Sequence, residues 1–235
     1  MEDPADLGER PEHYFTERPR SPSDRREMRF VYRGGLLSFE VDRGVFASTA
    51  LDRGTALLIE AMDPPRDARV LDLGCGWGAI GVAAARAAPE GHVVLTDVNR
   101  RATLLARGNL RRNRIANAEV RVGAGFGPVD RERFDLIATN PPYHVGRPML
   151  LALLGAVPEH LTERGKLLLV GKGSQGIRFY QGWLEERFSE VRVLARGGGY
   201  RVLQAVPPAP HPPERARPDA PARVGGAAAA PGRRG

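Results

Sequence analysis

Residues 134–143, Phe134-Asp135-Leu136-Ile137-Ala138-Thr139-Asn140-Pro141-Pro142-Tyr143, form an apolar run that ends in a rigid polar corner. Six residues rich in apolar side chains predict a buried strand. The two prolines end it because they lack a backbone N–H and have a fixed φ. The corner presents the amide of Asn140, the bare carbonyl of Pro141 and the ring of Tyr143. Ligands bind at the carboxyl ends of strands in open α/β sheets. Taken alone, the corner fits a ligand site and an ordinary Pro-Pro turn equally well.

A second motif lies upstream, where the apolar residues 70–73 run into the glycine-rich turn Gly74-Cys75-Gly76-Trp77-Gly78. Glycines allow a sharp turn and a close approach of a ligand to the backbone. The spacing is G-x-G-x-G, whereas the dinucleotide fingerprint is G-x-G-x-x-G, so dinucleotide binding is the weaker alternative. The next predicted strand ends in Asp97, nineteen residues after Gly78. A carboxylate there can accept hydrogen bonds from both ribose hydroxyls, so the two motifs predict a nucleoside-bearing cofactor beside the corner.

The order and spacing of the loop 72–78, the acid Asp97 and the corner 140–143 resemble the class I S-adenosylmethionine-dependent methyltransferases, in the branch that methylates amino groups. The resemblance implies S-adenosylmethionine as the cofactor. It also implies that Asn140, Pro141 and Tyr143 are catalytic. The cofactor-binding residues that it implies are Asp72, Gly74, Cys75, Gly76, Gly78, Asp97, Val98 and Asn140.

The corner suits this chemistry because methyl transfer from a sulfonium is an in-line displacement, in which the protein mainly positions the nucleophile. If the Asn140 side-chain oxygen and the Pro141 carbonyl each accept one N–H of an amino group, its lone pair faces the methyl group. The same acceptors stabilise the developing positive charge. Tyr143 offers a face on which an unstacked base can stack. The mechanism requires no metal. Cys75, the single cysteine, is interpreted as a packing residue of the glycine loop.

From Arg69 onward the sequence alternates strand and helix, which predicts a doubly wound, mostly parallel, Rossmann-like α/β sheet of seven strands. The last two strands are joined only by residues 197–199, and so short a connection requires an antiparallel hairpin. A small N-terminal hairpin is predicted around Gly34-Gly35, and Asn99 is predicted to cap a helix. The predicted strands are 69–73, 92–98, 119–123, 134–140, 166–172, 191–196 and 200–206.

The chain is predicted to have three parts: an irregular N-terminal arm (1–27), a methyltransferase domain with its N-terminal hairpin (28–206) and a disordered Pro/Ala/Arg-rich tail (207–235). The net charge of +7 suits a polyanionic partner, although five arginines and two acids from Ala205 onward contribute +3 of it. An acidic N-terminus and the lack of a long apolar run predict a cytoplasmic protein with no membrane segment.

A fuller pattern narrows the resemblance to the methyltransferase small domain of guanine-N2 methyltransferases that act on small-subunit (16S) ribosomal RNA. It comprises residues 44–46, 51–55 and 134–146. It implies ribosomal RNA or the small ribosomal subunit as partner, and it places Phe46, Asp52 and Thr55 over the cofactor pocket. The alternative for residues 44–62 is a loop and a helix that pack on the sheet. Many bacterial members carry a second copy of the domain, whereas this chain resembles a single-domain form.

Two other interpretations remain open. Release-factor glutamine methyltransferases share the Asn-Pro-Pro-Tyr corner because a carboxamide resembles an exocyclic amine, and adenine-N6 methylation of DNA or tRNA belongs to the same group. The other interpretation is a non-catalytic RNA-binding protein with this fold. The intact glycine loop, Asp97 and Asn140 argue against it. Arg147 and Lys172 fit both a substrate contact and a solvated surface position, and His144 is interpreted as a surface or packing residue.

Overall fold

A computed structural model describes residues 22–47 and 49–208 of the chain. These residues form an α/β fold with a seven-stranded sheet and a separate two-stranded hairpin. Most of the predicted N-terminal arm, and the predicted tail after residue 208, lie outside the described residues. No helix in the described part of the chain is long and apolar enough to cross a membrane.

The strands are β1 Arg26–Tyr32, β2 Gly35–Val41, β3 Arg69–Leu73, β4 His92–Asp97, β5 Ala118–Val122, β6 Phe134–Thr139, β7 Leu161–Lys172, β8 Glu190–Gly197 and β9 Tyr200–Val206. The α-helices are α1 Arg53–Ala61, α2 Ala79–Ala87, α3 Arg100–Arg112, α4 Arg147–Ala156 and α5 Ile177–Glu185. All seven predicted strands of the large sheet are present. Strand β7 starts earlier than predicted, because Leu161 pairs with Phe134 beyond an irregularity in the β6–β7 register.

The large sheet has the order β5-β4-β3-β6-β7-β9-β8. Strands β3 to β7 pair in parallel, and β9 pairs antiparallel with both β7 and β8, which confirms the predicted C-terminal hairpin. The strand order reverses between β3 and β6. This switch point places the glycine loop after β3 directly beside the corner after β6, where doubly wound sheets bind their ligands.

Helices cover both faces of the central strands, which explains why those strands are nearly continuous apolar runs. Neighbouring residues of β3 alternate between two hydrophobic cores, with Val70 in one and Leu71 in the other. The first core includes α1, α2 and part of the hairpin, and the second includes α4 and α5. Asn99 caps α3 as predicted, since its side chain accepts hydrogen bonds from the backbone N–H groups of Arg101 and Ala102.

The N-terminal hairpin is held by two buried asparagines, Asn109 of α3 and Asn113 at the C-cap of that helix. The side chain of Asn113 exchanges hydrogen bonds with the Ser38 backbone (3.0 and 2.7 Å), and Asn109 does the same with Glu40 (2.7 and 2.9 Å). These amides satisfy the edge of β2 as a neighbouring strand would. The hairpin is therefore fixed to the domain, and the chain after β2 is directed towards the carboxyl edge of the large sheet.

The turn of this hairpin differs from the prediction by one residue. Its central residues are Arg33 and Gly34, with φ values of 47° and 76°, because Tyr32 pairs with Gly35. Two consecutive positive φ values correspond to a type I′ turn, which matches the twist of the flanking strands. Arg33 has a positive φ, and its guanidinium donates a hydrogen bond to Asp63 Oδ1 at 2.6 Å.

Packing between α2 and β4 gives a first testable prediction. A β-carbon at Gly81 would lie 2.3 Å from Cδ2 of the fully buried Leu95. We expect Gly81→Ala to lower the free energy of unfolding by about 1–3 kcal/mol, the usual cost of overpacking. The matched control is Gly108→Ala in α3, where nothing lies within 4 Å and the higher helix propensity of alanine adds about 0.5–1 kcal/mol. Urea unfolding of both variants measures the difference, and equal stability would contradict this description of the α2–β4 contact.

Candidate active site

A cavity of about 540 Å³ lies at the carboxyl edge of the sheet, over the ends of β3, β4 and β6. This volume is typical of sites for small molecules and cofactors. Six of the residues predicted for cofactor binding line it: Gly74, Cys75, Gly76, Asp97, Val98 and Asn140. The fold therefore brings the two sequence motifs together around one cavity.

The other two predicted cofactor residues, Asp72 and Gly78, support the loop from behind and do not line the cavity. The buried Asp72 carboxylate accepts a hydrogen bond from the Gly81 N–H at 2.7 Å. Burial raises the pKa of Asp72 to about 7, and the nearby Asp97 carboxylate adds to this effect. Gly78 precedes α2 with a φ of 90° and lies against Ala106. Both residues hold the start of α2 under the glycine loop.

Asp97 is fixed at the end of β4 by two backbone donors. Its Oδ2 accepts from the Gly76 N–H and its Oδ1 from the Asn99 N–H, each at 2.8 Å. Burial raises the pKa of Asp97, and the backbone hydrogen bonds act in the opposite direction. Since each carboxylate oxygen has two acceptor positions, both oxygens can still accept a hydroxyl from a ligand.

Asn140 is oriented by residues that precede and begin α1. Its Nδ2 donates to Oδ2 of Asp52 at 3.0 Å and to Oγ1 of Thr55 at 2.9 Å. A carboxylate can only accept, so this contact fixes which end of the amide is nitrogen. The Asn140 side-chain oxygen is thereby directed away from Asp52 as an available acceptor.

Asp52 is the centre of this arrangement. Its Oδ2 caps α1 by accepting from the Thr55 N–H at 2.9 Å, and its Oδ1 accepts from the hydroxyl of Tyr200 at 3.0 Å. Burial and the hydrogen bond to Asp52 both raise the pKa of Tyr200. We call Asp52, Thr55 and Tyr200 the amide clamp, because together they hold the Asn140 side chain in one orientation.

The remaining residues of the corner have different surroundings. Pro141 is buried, and Tyr143 is half-buried outside the cavity lining. The Tyr143 hydroxyl donates to the Val170 carbonyl at 2.7 Å, and its ring meets Tyr180 edge-on with a centroid separation of 5.6 Å. Burial raises the pKa of Tyr143. The ring is thus rigidly held beside Asn140, and the stacking role expected from the sequence stays a prediction.

The segment after the hairpin covers the cavity. Phe46 and Thr55 line it, as the resemblance implied, and the Trp77 indole N–H donates to the Phe46 carbonyl at 3.0 Å. Asp52 does not line the cavity and acts on Asn140 instead. Further residues line the cavity that the sequence did not predict for it, and they include Thr96, Gly123, Ala124, Gly125, Met149 and Leu153. The rule that ligands bind at strand ends identifies residues 123–125 after β5, but nothing local marks the α4 residues.

The chain is similar in sequence to a known protein family and to individual proteins. The model of the methyltransferase small domain family matches residues 37–204. "Uncharacterized protein YbxB" of Bacillus subtilis is 34% identical over 83% of this chain and 98% of its own length. Ribosomal RNA small subunit methyltransferase C of Pseudomonas syringae is 36% identical over 70% of this chain and 49% of its own length.

A solved structure agrees with these relatives. The 16S rRNA N2 methyltransferase of T. thermophilus, in complex with AdoMet and guanosine, superposes with a TM-score of 0.70 at 28% identity. The alignment covers 81% of this chain and 52% of that chain. The chain therefore spans about half the length of the ribosomal RNA methyltransferases that it matches.

The fold and the site define a class I S-adenosylmethionine-dependent methyltransferase. More narrowly, the chain belongs to the methyltransferase small domain family.

The cavity itself fits S-adenosylmethionine. Among the described residues, its lining contains no lysine, arginine or histidine, and Asp97 provides its one charged side chain, which suits a cationic sulfonium. The buried Thr96 hydroxyl beside the cavity has no hydrogen-bond partner in the described ranges. No three His, Cys, Asp or Glu side chains within residues 22–47 and 49–208 are grouped so that they could hold a metal ion.

Proposed function

We propose that the protein methylates an exocyclic amino group, and that its target is guanine N2 in small-subunit ribosomal RNA. One observation carries the proposal: both N–H groups of the Asn140 amide are engaged by Asp52 and Thr55. The corner therefore offers an oxygen acceptor to a substrate N–H. The ribosomal RNA relatives and the T. thermophilus enzyme support the choice of guanine.

In the proposed mechanism, the Asn140 oxygen and the Pro141 carbonyl each accept one N–H of the target amine. This pairing turns the nitrogen lone pair towards the cavity, and it stabilises the positive charge that develops on nitrogen. S-adenosylmethionine, when bound, would supply the methyl group, and its sulfur would keep the electron pair of the broken S–C bond. The methylated nitrogen would then lose its extra proton to water. The proposed role of Tyr143 is to stack the base, and its hydrogen bond to Val170 fixes the ring before the base arrives.

Cofactor binding is proposed to depend on Asp97 through the ribose hydroxyls, with Gly74, Cys75, Gly76 and Val98 forming the adjacent wall. Asp72 and Gly78 are proposed to act indirectly, by holding the loop in shape. The available acceptor positions on both Asp97 oxygens support this assignment.

Replacing Asp97 tests the cofactor assignment. We expect Asp97→Ala to weaken S-adenosylmethionine binding by about 1.5–3 kcal/mol, roughly tenfold to a hundredfold in Kd, because charge-assisted hydrogen bonds are lost. Isothermal titration calorimetry measures the affinity. The matched control is Asp130→Ala, which removes an exposed carboxylate outside the cavity lining. An unchanged Kd for Asp97→Ala would refute the ribose assignment.

The substrate is tested by transfer of labelled methyl groups to small subunits, 16S ribosomal RNA, tRNA and a release factor, offered in parallel. The expected result is label in the small-subunit RNA, recovered as N2-methylguanosine after digestion. Label in adenine or in release-factor glutamine would retain the role of Asn140 and overturn the proposed target. Cofactor binding without any transfer would favour a non-catalytic RNA-binding protein.

A further inference from the structure

Three exposed cations surround the Asn-Pro-Pro-Tyr corner: Arg53, Arg147 and Lys172. We call them the basic rim. They lie at the starts of α1 and α4 and at the end of β7, so all three belong to the carboxyl edge of the sheet. Some exposed arginines of the domain form ion pairs, for example Arg66 with Glu90 and Arg187 with Glu186, whereas others, such as Arg164 and Arg178, do not pair with any described carboxylate. None of the rim cations forms an ion pair with a carboxylate of the described residues.

The positions of the two rim arginines are unfavourable for the helices that carry them. Arg53 is the first residue of α1 and Arg147 the first residue of α4, and neither helix has an acidic residue in its first turn. The helix dipole places partial positive charge at that end, where a cation costs about 0.3–1 kcal/mol. At α4, where the N-cap Gly146 has no side chain, an external anion would benefit from both Arg147 and the dipole, whereas the start of α1 already carries the Asp52 carboxylate.

On one side of the corner, Arg53 and Lys172 converge on the β8–β9 turn. A β-carbon at Gly198 would lie 3.7 Å from Cδ of Arg53, and one at Gly199 would lie 3.5 Å from Cε of Lys172. The Lys172 ammonium is 5.8 Å from the ring centroid of Tyr200. Tyr200 belongs to the amide clamp, so a series of contacts through Tyr200 and Asp52 connects Lys172 with Asn140.

On the other side of the corner, Arg147 stacks over the ring of Phe179 at 4.7 Å. Phe179 meets Tyr180 edge-on at 5.3 Å, and Tyr180 contacts Tyr143. Phe179 is 43% exposed, and Met149, which lines the cavity mouth, is 64% exposed. This side thus combines a cation with apolar and aromatic surface, the combination that binds single-stranded nucleic acid.

We propose that the basic rim binds the phosphates on either side of the target nucleotide. Arg53 and Lys172 hold one flanking phosphate at the glycine turn, and Arg147 holds the other, with Phe179 and Met149 against a neighbouring base. A nucleotide whose base enters the corner necessarily has its backbone passing over this edge. The inference rests on the proposed function in taking RNA as the partner, and it assigns the residues that dock it.

Salt-dependent RNA binding tests the rim without methyl transfer. The probe is a fluorescein-labelled, single-stranded oligoribonucleotide of about 12 nucleotides with one central guanine. Fluorescence anisotropy gives Kd over a series of KCl concentrations. For single strands each lost phosphate contact lowers the slope of log Kd against log salt by about 0.7. We expect the triple variant Arg53→Gln/Arg147→Gln/Lys172→Gln to lose about 1.4 from this slope, about 0.7 for each of the two flanking phosphates, and to bind at least about tenfold more weakly near 0.1 M salt.

The matched control removes the same three charges from ion-paired positions: Arg25→Gln/Arg66→Gln/Arg187→Gln. The rim variant is expected to keep its S-adenosylmethionine affinity and melting temperature, which shows that it is folded. Equal losses in both variants, an unchanged slope in the rim variant, or a wild-type protein that does not bind the probe would each overturn the proposal. If RNA docks through the rim but is methylated at adenine, only the guanine target is overturned. If the rim variant methylates guanine with full activity, only the role of the rim is overturned.

Discussion

Asn140→Ala is expected to lower kcat about 10³-fold while the affinity for S-adenosylmethionine changes by only a few-fold. The substitution removes the proposed acceptor for the substrate N–H. Loss of one preorganised polar group that acts on developing charge typically costs about 10²–10³ in rate. The cofactor is held mainly by the glycine loop and Asp97, which the substitution leaves in place. Single-turnover methyl transfer with excess enzyme measures the chemical step directly.

Two controls separate positioning from a loss of structure in this experiment. Calorimetry with S-adenosylmethionine shows whether the cavity of Asn140→Ala is intact. Asn140→Asp retains the size of the side chain but places a carboxylate opposite Asp52 Oδ2, at a contact that is now 3.0 Å. Like charges at that distance repel, so this variant is also expected to be inactive. Wild-type turnover in Asn140→Ala would refute the acceptor role.

The central strands β3, β4 and β6 of the large sheet are predictable from sequence because burial on both faces makes each an apolar run with a clear end. Thr139 ends β6 where the prolines follow, and Asp97 ends β4. The N-terminal turn is less predictable. Gly34-Gly35 is a strong local signal, yet the pairing of Tyr32 with Gly35 moves the turn onto Arg33 and Gly34. Register is set by contacts along the whole strand, and these outweigh the local preference.

The candidate site also contains some residues that are predictable from sequence and others that are not. Gly74, Gly76, Asp97 and Asn140 are predictable because each lies at or just after the end of a strand, at the same edge of the sheet. The amide clamp is not, because Asp52 meets Asn140 and Tyr200 across 88 and 148 residues of sequence. No periodicity or spacing encodes such contacts.

The orientation of the Tyr143 ring is likewise not predictable from sequence. Its place in the motif indicates a ring at the site, but the ring's orientation depends on the Val170 carbonyl in another strand.

The amide clamp leads to the second large effect, at Asp52. We expect Asp52→Ser to lower kcat by about 100-fold, the upper end of the range for residues that orient a ligand-contacting group. Serine is as good a helix N-cap as aspartate, so α1 keeps its capping hydrogen bond. Its side chain is too short to reach both Asn140 and Tyr200. The Asn140 amide is then free to rotate and to present its NH₂ group, which repels a substrate N–H.

Because Asp52 acts through Asn140, its substitution should change kcat much more than the Kd of the cofactor. Asp52→Asn provides the conservative test, since its amide oxygen can still accept from Asn140 and Thr55 while its NH₂ group faces the Tyr200 hydroxyl. We expect this variant to recover activity to within about tenfold of wild type, and Tyr200→Phe to show a similarly small loss, since each disturbs only one contact of the clamp. If Asp52→Ser and Asp52→Asn lose activity equally, the negative charge of Asp52 matters rather than its orientation of the amide. If neither loses activity, Asn140 is held by Thr55 alone and the clamp has no catalytic role.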